Sequence, residues 1–508
     1  MSGAALPTSA APAADGRARY AAIAQLAWPV LIGQLAIMAN GVIDTIMAGR
    51  TSSDDIAAIG LGAAVYITIY ATTMGVLLAL SPIVAQNYGA RRHDRIGIDF
   101  AQGLWLALFL TIPGCLTLLS TDLWLGLSAP PPAVAERTRL YLFAVAAGLP
   151  AALLFRVFYA LNNALSRPKV VMTINLAALA LKIPLNALFI DGLALPGGLP
   201  SVPALGGPGC GVATAVLAWL SALLAWLWVR LDPWYRPFRL FSRLGIDRRG
   251  LTELLRLGLP IGAGYLVEIT SFTFMALFVA RFGAVVGGSH QIASNLTGVL
   301  YMSALAISSA TGVLAAQSLG AAQPGAARAT VWAGMRMMLG VASLSGAALW
   351  FAAPTIAGWY TSDAGIQAAA IPLLRLVALF HLFDATQTFF ANVLRAYKVA
   401  FLPAVVYVLS LWGIGLGFGW WLTFGNKHVW PWQAWPQLAR FDGQVGGATG
   451  FWVAAGGSVF VASIGLALIL AGVWRRDGAA AARPAVRAGA PRESADARDS
   501  SEAPRSTR

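Results

Sequence analysis

The sequence predicts an all-α polytopic membrane protein. We expect twelve transmembrane helices in two six-helix bundles, related by a pseudo-twofold axis along the membrane normal. Three observations predict this fold class: an apolar composition, twelve long apolar runs and an internal repeat. Of the 508 residues, 58% are hydrophobic and 11% are charged, whereas about a quarter of the residues of a soluble domain are charged. A water-soluble chain of this length would need far more polar surface.

The apolar runs locate the helices. About 20 helical residues, each rising 1.5 Å, cross the ~30 Å hydrocarbon layer of a membrane. Glycine, proline and charged residues separate the runs. We predict helices at 20–48, 56–86, 97–119, 137–163, 168–190, 209–230, 250–280, 289–318, 326–353, 366–395, 399–424 and 450–473.

The connections between these helices alternate in charge. Those at 120–135, 191–208 and 354–366 contain no Lys or Arg, whereas 91–95 (RRHDR) and 166–169 (SRPK) are basic. Basic connections stay in the cytoplasm, so we expect a protein of the bacterial inner membrane with both termini in the cytoplasm. The net charge of +14 follows from the same rule and does not indicate a nucleic-acid partner.

The same pattern divides the chain into five segments. We expect a disordered amino terminus (1–19), an amino-terminal lobe of six helices (20–235) and a basic cytoplasmic linker (236–249). A carboxy-terminal lobe of six helices (250–474) follows. The last segment (475–508) mixes Arg, Ala, Pro, Ser and acidic residues, and this composition is typical of disorder.

An internal repeat relates the two lobes. Three segments of the first half recur in the second: LAWPVLIG (26–33) as LGLPIGAG (257–264), VAQNYGA (84–90) as AAQSLGA (315–321), and NALSRPK (163–169) as NVLRAYK (392–398). The first two matches have an offset of 231 residues and the third an offset of 229. The second match pairs Gln86 with Gln317, and Gly89 with Gly320.

The repeat indicates a transporter. Six spans separate equivalent points, so both halves cross the membrane in the same direction. Two such bundles can enclose a central cavity and open it alternately to each side of the membrane. The chain lacks the GxxxxGK[ST] phosphate loop of nucleotide-driven pumps. We therefore expect an ion gradient to drive transport, or transport to be passive.

Four ionisable residues lie deep within apolar runs: Asp44, Lys182, Glu268 and Asp384. A charge at the centre of a membrane helix costs at least ~2.5–3.5 kcal/mol on insertion scales, so these residues must face a cavity or one another. A buried carboxylate can couple proton uptake to a change of conformation. The alternative is a structural role in hydrogen bonds between helices.

Three further side chains belong to the same hypothesis. Asn186 lies one helical turn from Lys182, and Asn40 lies one turn from Asp44, so we assign both asparagines to the cavity. We also assign His381, one turn before Asp384, to the cavity, where it could relay protons at neutral pH. A lone helical histidine is more often packed or hydrogen-bonded, and we favour that role. The long side chain of Lys182 could pair with Asp44 or extend to the interface.

Several of these segments resemble one family. VIDTIMAG, LSRPK, IPLNALFI, GCGVATA, the IASNL of the eighth helix and LFDATQTFFANVLRAYK, in order over about residues 20–474, resemble the multidrug and toxic compound extrusion (MATE) family, in its NorM-like branch. The resemblance implies two six-helix lobes that export cationic or amphipathic, often aromatic, drugs in exchange for protons or sodium. It places Asp44 and Asn186 in the amino-terminal cavity. It also places Glu268 and Asp384 at a proton or Na⁺ site in the carboxy-terminal lobe.

The chain departs from this pattern at two positions. A tyrosine that assists the cation site of sodium-coupled relatives is replaced by Phe380, and an asparagine of some relatives is replaced by Lys182. Both departures favour protons over sodium as the coupling ion. We expect no organic cofactor and no resident metal, other than Na⁺ in the sodium-coupled case.

Three functions compete at this stage. The first is a cation-coupled antiporter of cationic or amphipathic drugs, acting as a monomer in the lipid bilayer. The second is a flippase for a lipid-linked precursor, which would need a strongly cationic cavity to hold a pyrophosphate. The carboxylates identified here outnumber the single lysine, and this count favours the antiporter. The third is a membrane enzyme, but the four histidines are scattered and form no catalytic cluster.

Overall fold

The computed structural model describes residues 16–193, 202–424 and 446–482. Within these residues, twelve helices are long and apolar enough to span a membrane. The all-α fold class is therefore confirmed. The helices are α1 (Gly16–Gly49), α2 (Ser53–Gly89), α3 (His93–Leu119), α4 (Pro132–Ala164), α5 (Pro168–Ile190), α6 (Gly209–Leu231), α7 (Arg248–Phe282), α8 (Ala284–Gly320), α9 (Pro324–Tyr360), α10 (Ala364–Ala396), α11 (Phe401–Phe424) and α12 (Gly446–Ala482).

The outermost helices are longer than predicted. Helix α1 begins at Gly16, so residues 16–19 of the segment predicted to be disordered are helical. Helix α12 extends to Ala482, so residues 475–482 are also helical. The rest of both predicted disordered segments lies outside the described residues. The linker predicted at 236–249 contains the end of a 3₁₀ turn (Pro233–Phe238) and the first residues of α7.

The helices form two bundles of six with matching internal contacts. In the first bundle α4 packs against α2, α3 and α6, while α5 packs against α1 and α6. In the second, α10 packs against α8, α9 and α12, and α11 packs against α7 and α12. Each of these five pairs of the first bundle thus has its counterpart six helices later, as the repeat predicts.

The helix ends show the repeat in finer detail. Arg91 and Ala322 both adopt left-handed backbone conformations, with φ of 56° and 58°, and they are 231 residues apart. Ser166 and Lys398 do the same, with φ of 60° and 57°, at a separation of 232 residues. The third sequence match, with its offset of 229, was therefore wrong by three residues. The turn that ends α4 and α10 defines the true register, in which Asn163 corresponds to Arg395.

The two bundles meet through equivalent helices. Helix α2 packs against α7, α1 packs against α8, and the end of α2 packs against α8. At that end, Gly89 lies against the carbonyl of Gln317, and Gly320 lies against the carbonyl of Gln86. A Cβ atom at either glycine would overlap the opposing backbone, so this close approach requires glycine.

The two glutamines of this contact bind across the interface. Gln86 Nε2 donates to the Ala396 carbonyl, the last residue of α10, at 2.8 Å. Gln317 Nε2 donates to the Ala164 carbonyl, the last residue of α4, also at 2.8 Å. Each bundle therefore holds the end of a helix of the other, and the bundles are closed together at this end.

Adding a methyl group at this contact should separate the bundles. We expect Gly89→Ala and Gly320→Ala each to shift the protein away from the closed arrangement, because the new Cβ has no space. Spin labels on Arg92→Cys and Gln323→Cys, with Cys115 and Cys210 replaced by alanine, would report the distance across the closed end by electron paramagnetic resonance. Both glycine variants should lower the population at short distances.

The matched control is Gly287→Ala on α8, since a Cβ there meets nothing within 4 Å. It should leave the distance distribution as in the parent. Unchanged distributions in Gly89→Ala and Gly320→Ala would contradict the role of this contact.

Candidate functional site

A cavity of about 680 Å³ lies between the two bundles. Its walls come from α1, α2, α4, α5 and α6 on one side and from α7, α8 and α10 on the other. Seven aromatic side chains contribute to the lining: Tyr66, Tyr70, Tyr141, Phe155, Tyr159, Tyr265 and Tyr301. Its volume and largely apolar lining are typical of sites for small organic molecules.

One wall of the cavity carries a buried ion pair. Lys182 Nζ lies 2.8 Å from Asp44 Oδ1, and the two side chains are 1% and 11% exposed. Asn186 Nδ2 donates to the same oxygen at 2.8 Å. Lys182 also donates to Thr214 Oγ1 at 2.7 Å. Helices α1, α5 and α6 thus each contribute a side chain to one network, and the expected pairing of Lys182 with Asp44 is present.

The other oxygen of this carboxylate has no partner of its own. Within the described chain, no side chain or backbone group donates a hydrogen bond to Asp44 Oδ2. Asp44 and Lys182 both line the cavity, whereas Asn186 is fully buried behind them. Asn40 lines the cavity one turn away, and its Oδ1 is buried without a hydrogen-bond partner.

The carboxylates of the second bundle lie outside the lining of this cavity. Asp384 on α10 is 4% exposed and accepts a hydrogen bond from Gln387 Nε2 at 3.1 Å. Glu268 on α7 is half-buried and forms no hydrogen bond with a described residue. The two acids are close enough for their charges to interact, and the charge of Arg395 also reaches Glu268. No signal in the sequence indicated Gln387 as a partner of Asp384.

His381 was assigned to the cavity, and this assignment was wrong. Its side chain is 2% exposed, and its Nε2 lies 3.1 Å from Ser345 Oγ on α9. Helix α10 presents His381 to α9 because the residue lies on the side of the helix away from the cavity. The packed, hydrogen-bonded role favoured from the sequence therefore fits this geometry.

Two arginines of the cavity were missed. Arg156 on α4 and Arg395 on α10 both line it. With Lys182, three basic side chains and one acidic side chain line the cavity among the described residues, so the earlier charge count was wrong. Both arginines stand in apolar stretches, LLFRVF and NVLRAY, and this setting was the available signal.

Comparison with known proteins identifies relatives along most of the chain. A family model described as MatE matches residues 29–188 and 260–421. A probable multidrug resistance protein NorM from Aromatoleum aromaticum is 40% identical, over 89% of this chain and 93% of the relative. The multidrug resistance protein PmpM of Pseudomonas aeruginosa is 35% identical, over 79% of this chain and 84% of the relative.

Solved structures share the fold. The crystal structure of the eukaryotic MATE transporter AtDTX14 superimposes with a TM-score of 0.78 at 18% identity, covering 90% of this chain and 96% of that one. A MATE structure in a straight conformation gives a TM-score of 0.76 at 19% identity, covering 91% and 96%.

Because Asp44 and Lys182 form a buried ion pair, the effects of replacing them on the free energy of unfolding should depend on each other. Lys182→Met should destabilise the protein by about 3 kcal/mol, because it leaves a buried carboxylate unpaired. In the Asp44→Asn background, Lys182→Met should lower the free energy of unfolding by about 1 kcal/mol or less. The Asp44 carboxylate is already absent there, so the second substitution leaves no buried carboxylate unpaired. Thermal unfolding in detergent would measure the four proteins of this cycle.

Lys169→Met is the matched control, because Lys169 is an exposed lysine of the same helix. Its effect should be small in both the wild-type and the Asp44→Asn background. Additive losses for Asp44→Asn and Lys182→Met would mean that the two side chains are not energetically coupled.

Proposed function

Because the chain belongs to the MATE family of multidrug efflux transporters, we propose that it is a proton-coupled antiporter that exports cationic or amphipathic organic compounds. It is a multi-pass membrane protein and not an enzyme. We place it in the bacterial inner membrane as a monomer, with both termini in the cytoplasm. No organic cofactor takes part in this proposal.

One observation carries the proposal: a cavity between two equivalent bundles has a buried ion pair in its wall. The aromatic lining suits flat organic molecules, and Asp44 offers them a negative charge. A cation in the cavity and Lys182 compete for that carboxylate. Cargo binding and the state of the ion pair are therefore linked.

Protonation of Asp44 provides one coupling step. A proton on the carboxylate removes its attraction for both Lys182 and a cationic cargo. The Asn186 amide can hydrogen-bond to both protonation states of Asp44. Its NH₂ group donates to the carboxylate, and after a rotation of the amide by about 180° its oxygen can accept from the carboxylic acid. Its Oδ1 is buried without a partner and is available for that second role.

Glu268 and Asp384 provide a second coupling site. Their charges interact within the second bundle, away from the cavity lining. Gln387 has the same arrangement towards Asp384 as Asn186 has towards Asp44: its amide nitrogen donates, and its Oε1 is buried without a partner. Two carboxylates that share one site hold a proton readily, because like charges oppose full ionisation.

The contacts favour protons over sodium. The Lys182 ammonium already occupies the position beside Asp44 that a sodium ion would take, whereas a proton can bind without filling it. In the second bundle, Phe380 packs edge-on against Phe272 and Trp452. This ring offers no oxygen to a metal ion near Asp384.

The closed end of the bundles supports alternating access. Gly89 and Gly320 meet next to the basic connection at 91–95, which we assign to the cytoplasm. In this form the cavity is therefore shut off from the cytoplasm. Rocking of the two bundles about their equivalent contacts would open that side and close the other.

A flippase is the second candidate. The observation that favours it is the excess of basic side chains around the cavity, which could hold the phosphates of a lipid. The relatives are named multidrug resistance proteins, and this favours the drug antiporter.

The second coupling site can be tested by removing its charges. Asp384→Asn and Glu268→Gln should each reduce proton-coupled efflux from proteoliposomes to the level of empty vesicles, because each removes one of the two carboxylates that share the proton. Glu253→Gln is the matched control: Glu253 is on α7 and pairs with Lys398 at an exposed site. Wild-type transport in both site variants would exclude the site.

The coupling ion can be tested with imposed gradients. A pH gradient without sodium should drive efflux of a fluorescent organic cation such as ethidium. A sodium gradient at equal pH on both sides should not. Efflux that requires the sodium gradient would contradict proton coupling and would assign sodium to the acidic residues.

A further inference from the structure

We propose that a second, open cavity on the first bundle binds the phosphate of an anionic phospholipid. This surface cavity has a volume of about 870 Å³ and shares no lining residue with the cavity between the bundles. Two segments form it: the turn from α2 into α3, and the 3₁₀ turn after α6. Among the described residues, its lining contains five arginines, one histidine and one acid, Asp94. The inference goes beyond the transport proposal, because none of the coupling or cargo residues lies here.

Most of the positive charge in the surface cavity is left without a counter-charge. Arg91, Arg92 and Arg236 form no ion pair with any residue that the structure describes. Arg239 lies 3.7 Å from Asp94, and both of these side chains are largely exposed. Like charges gathered in one concave surface raise the local potential and attract anions.

Contacts within the first bundle fix the two walls of the surface cavity. Phe238, at the end of the 3₁₀ turn, is fully buried, and its ring packs edge-on against the His93 ring with 5.2 Å between their centres. A Cβ atom at Gly97 would overlap the carbonyls of Phe238 and Arg239. Helix α3 therefore lies directly against the 3₁₀ turn, and the arginines of the two walls are held beside one another.

The start of the 3₁₀ turn is fixed as well. Arg167 Nη1 lies 2.6 Å from Asp232 Oδ2, and its guanidinium lies 4.6 Å from the centre of the Trp234 ring. Asp232 also accepts a hydrogen bond from the Trp234 backbone N–H at 3.0 Å. The surface cavity is thus formed before any ligand arrives, and a preformed site loses less entropy on binding.

Comparison with the second bundle shows that the fold does not require these arginines. Arg91 and Ala322 occupy equivalent positions with nearly the same φ, 56° and 58°. At the same offset of 231 residues, the segment RRHDR (91–95) corresponds to AQPGA (322–326), which has no charged residue. The positive-inside rule accounts for basic residues in such a connection, but not for their meeting residues of a second segment around one cavity.

The linker beside the surface cavity places it at the surface of the membrane. Trp105 of α3 donates its indole N–H to the Leu244 carbonyl at 2.7 Å, and Gln102 Nε2 donates to the Gly245 carbonyl at 2.9 Å. The linker therefore runs along the outside of a membrane-spanning helix. Leu244 and Ile246 are 48% and 51% exposed. Exposed apolar side chains of this kind insert at the lipid interface, where tryptophan is also enriched.

The lipid-facing side of α3 leads to the surface cavity. Trp105, Phe109 and Ile112 lie on one face of the helix, and the last two are 43% and 60% exposed. Asp94 precedes Trp105 by 11 residues, or about three helical turns, and so lies on the same face. A lipid whose acyl chains lie along this face would therefore present its headgroup to the surface cavity.

The chemistry of the lining identifies the headgroup. A guanidinium presents its N–H donors in a planar fork that matches the oxygens of a phosphate. Basic pockets beside the ends of membrane helices bind acidic headgroups, each basic residue adding to the attraction. Phosphatidylglycerol carries a net negative charge, whereas the choline cation of phosphatidylcholine would be repelled by the unpaired arginines. We therefore assign the surface cavity to an anionic lipid.

A matched pair of lipids tests the assignment. Phosphatidylglycerol and phosphatidylcholine, each with a nitrobenzoxadiazole label on one acyl chain, would be titrated with the full-length protein in an uncharged detergent. Fluorescence anisotropy gives the Kd of each lipid. Phosphatidylglycerol should bind more tightly to the wild type. The double variant Arg92→Gln with Arg236→Gln, one arginine from each wall, should weaken its binding by about 10- to 30-fold. Binding of phosphatidylcholine should not change.

Two further double variants separate lipid binding from diffuse attraction and from a structural role. Arg248→Gln with Arg249→Gln is the matched control, because it removes the same charge from exposed positions near the linker, outside the surface cavity. It should bind phosphatidylglycerol as the wild type does. Arg92→Lys with Arg236→Lys keeps the charge and should recover part of the affinity. Thermal unfolding without anionic lipid should be the same for the Gln variant at 92 and 236 and the wild type.

The remaining outcomes would overturn the assignment. Equal loss of phosphatidylglycerol binding in the control would mean diffuse attraction to the basic surface, and equal loss of both lipids would mean a change of structure. Unlabelled phosphatidylglycerol should displace the labelled lipid, whereas soluble glycerol 3-phosphate at the same concentration should not. Equal displacement by glycerol 3-phosphate would assign the surface cavity to a soluble phosphate. No step of this assay involves transport, so its result is separate from that of the proposed function.

Discussion

The requirement that a charge in the membrane interior be paired or face water governs this structure. Asp44 and Lys182 meet that requirement together, and the helices that carry them, α1 and α5, are brought against α6 through Thr214. Separately, each charge would oppose insertion of its helix into hydrocarbon. Together they form a network that is buried on one side and reaches the cavity on the other. The same contact thus stabilises the first bundle and places an ionisable carboxylate in the wall of the cavity.

The second constraint is symmetry. Because the two bundles are built from one repeat, the contact between them is made twice by equivalent residues, Gly89 with Gln317 and Gly320 with Gln86. Such a contact needs backbones that approach closely. A closed end of this kind suits two bundles that move as rigid bodies and that contact each other first at one end and then at the other.

The charges of the two bundles are not symmetric. The first bundle holds its acid, Asp44, in the cavity wall, whereas the second keeps Glu268 and Asp384 behind that wall and presents Arg395 to the cavity. At the position equivalent to Arg395, the first bundle has Asn163, which is uncharged. The repeat therefore determines the shape of the cavity, and the positions at which the two bundles differ determine which charged side chains line it.

The sequence by itself determined the class of fold, the number of spans, the repeat and the identity of the buried acids, because hydrophobic runs and isolated charges are local properties of the chain. It also indicated Lys182 as a partner for Asp44, since Lys182 and Asn186 share one helical face. The tertiary structure alone decided which way each face points. It directed His381 to Ser345, placed Arg156 and Arg395 in the cavity, joined Gln387 to Asp384 and corrected the third repeat match by three residues. These features depend on the rotation of one helix against its neighbours, and that rotation is set by packing between residues far apart in the chain.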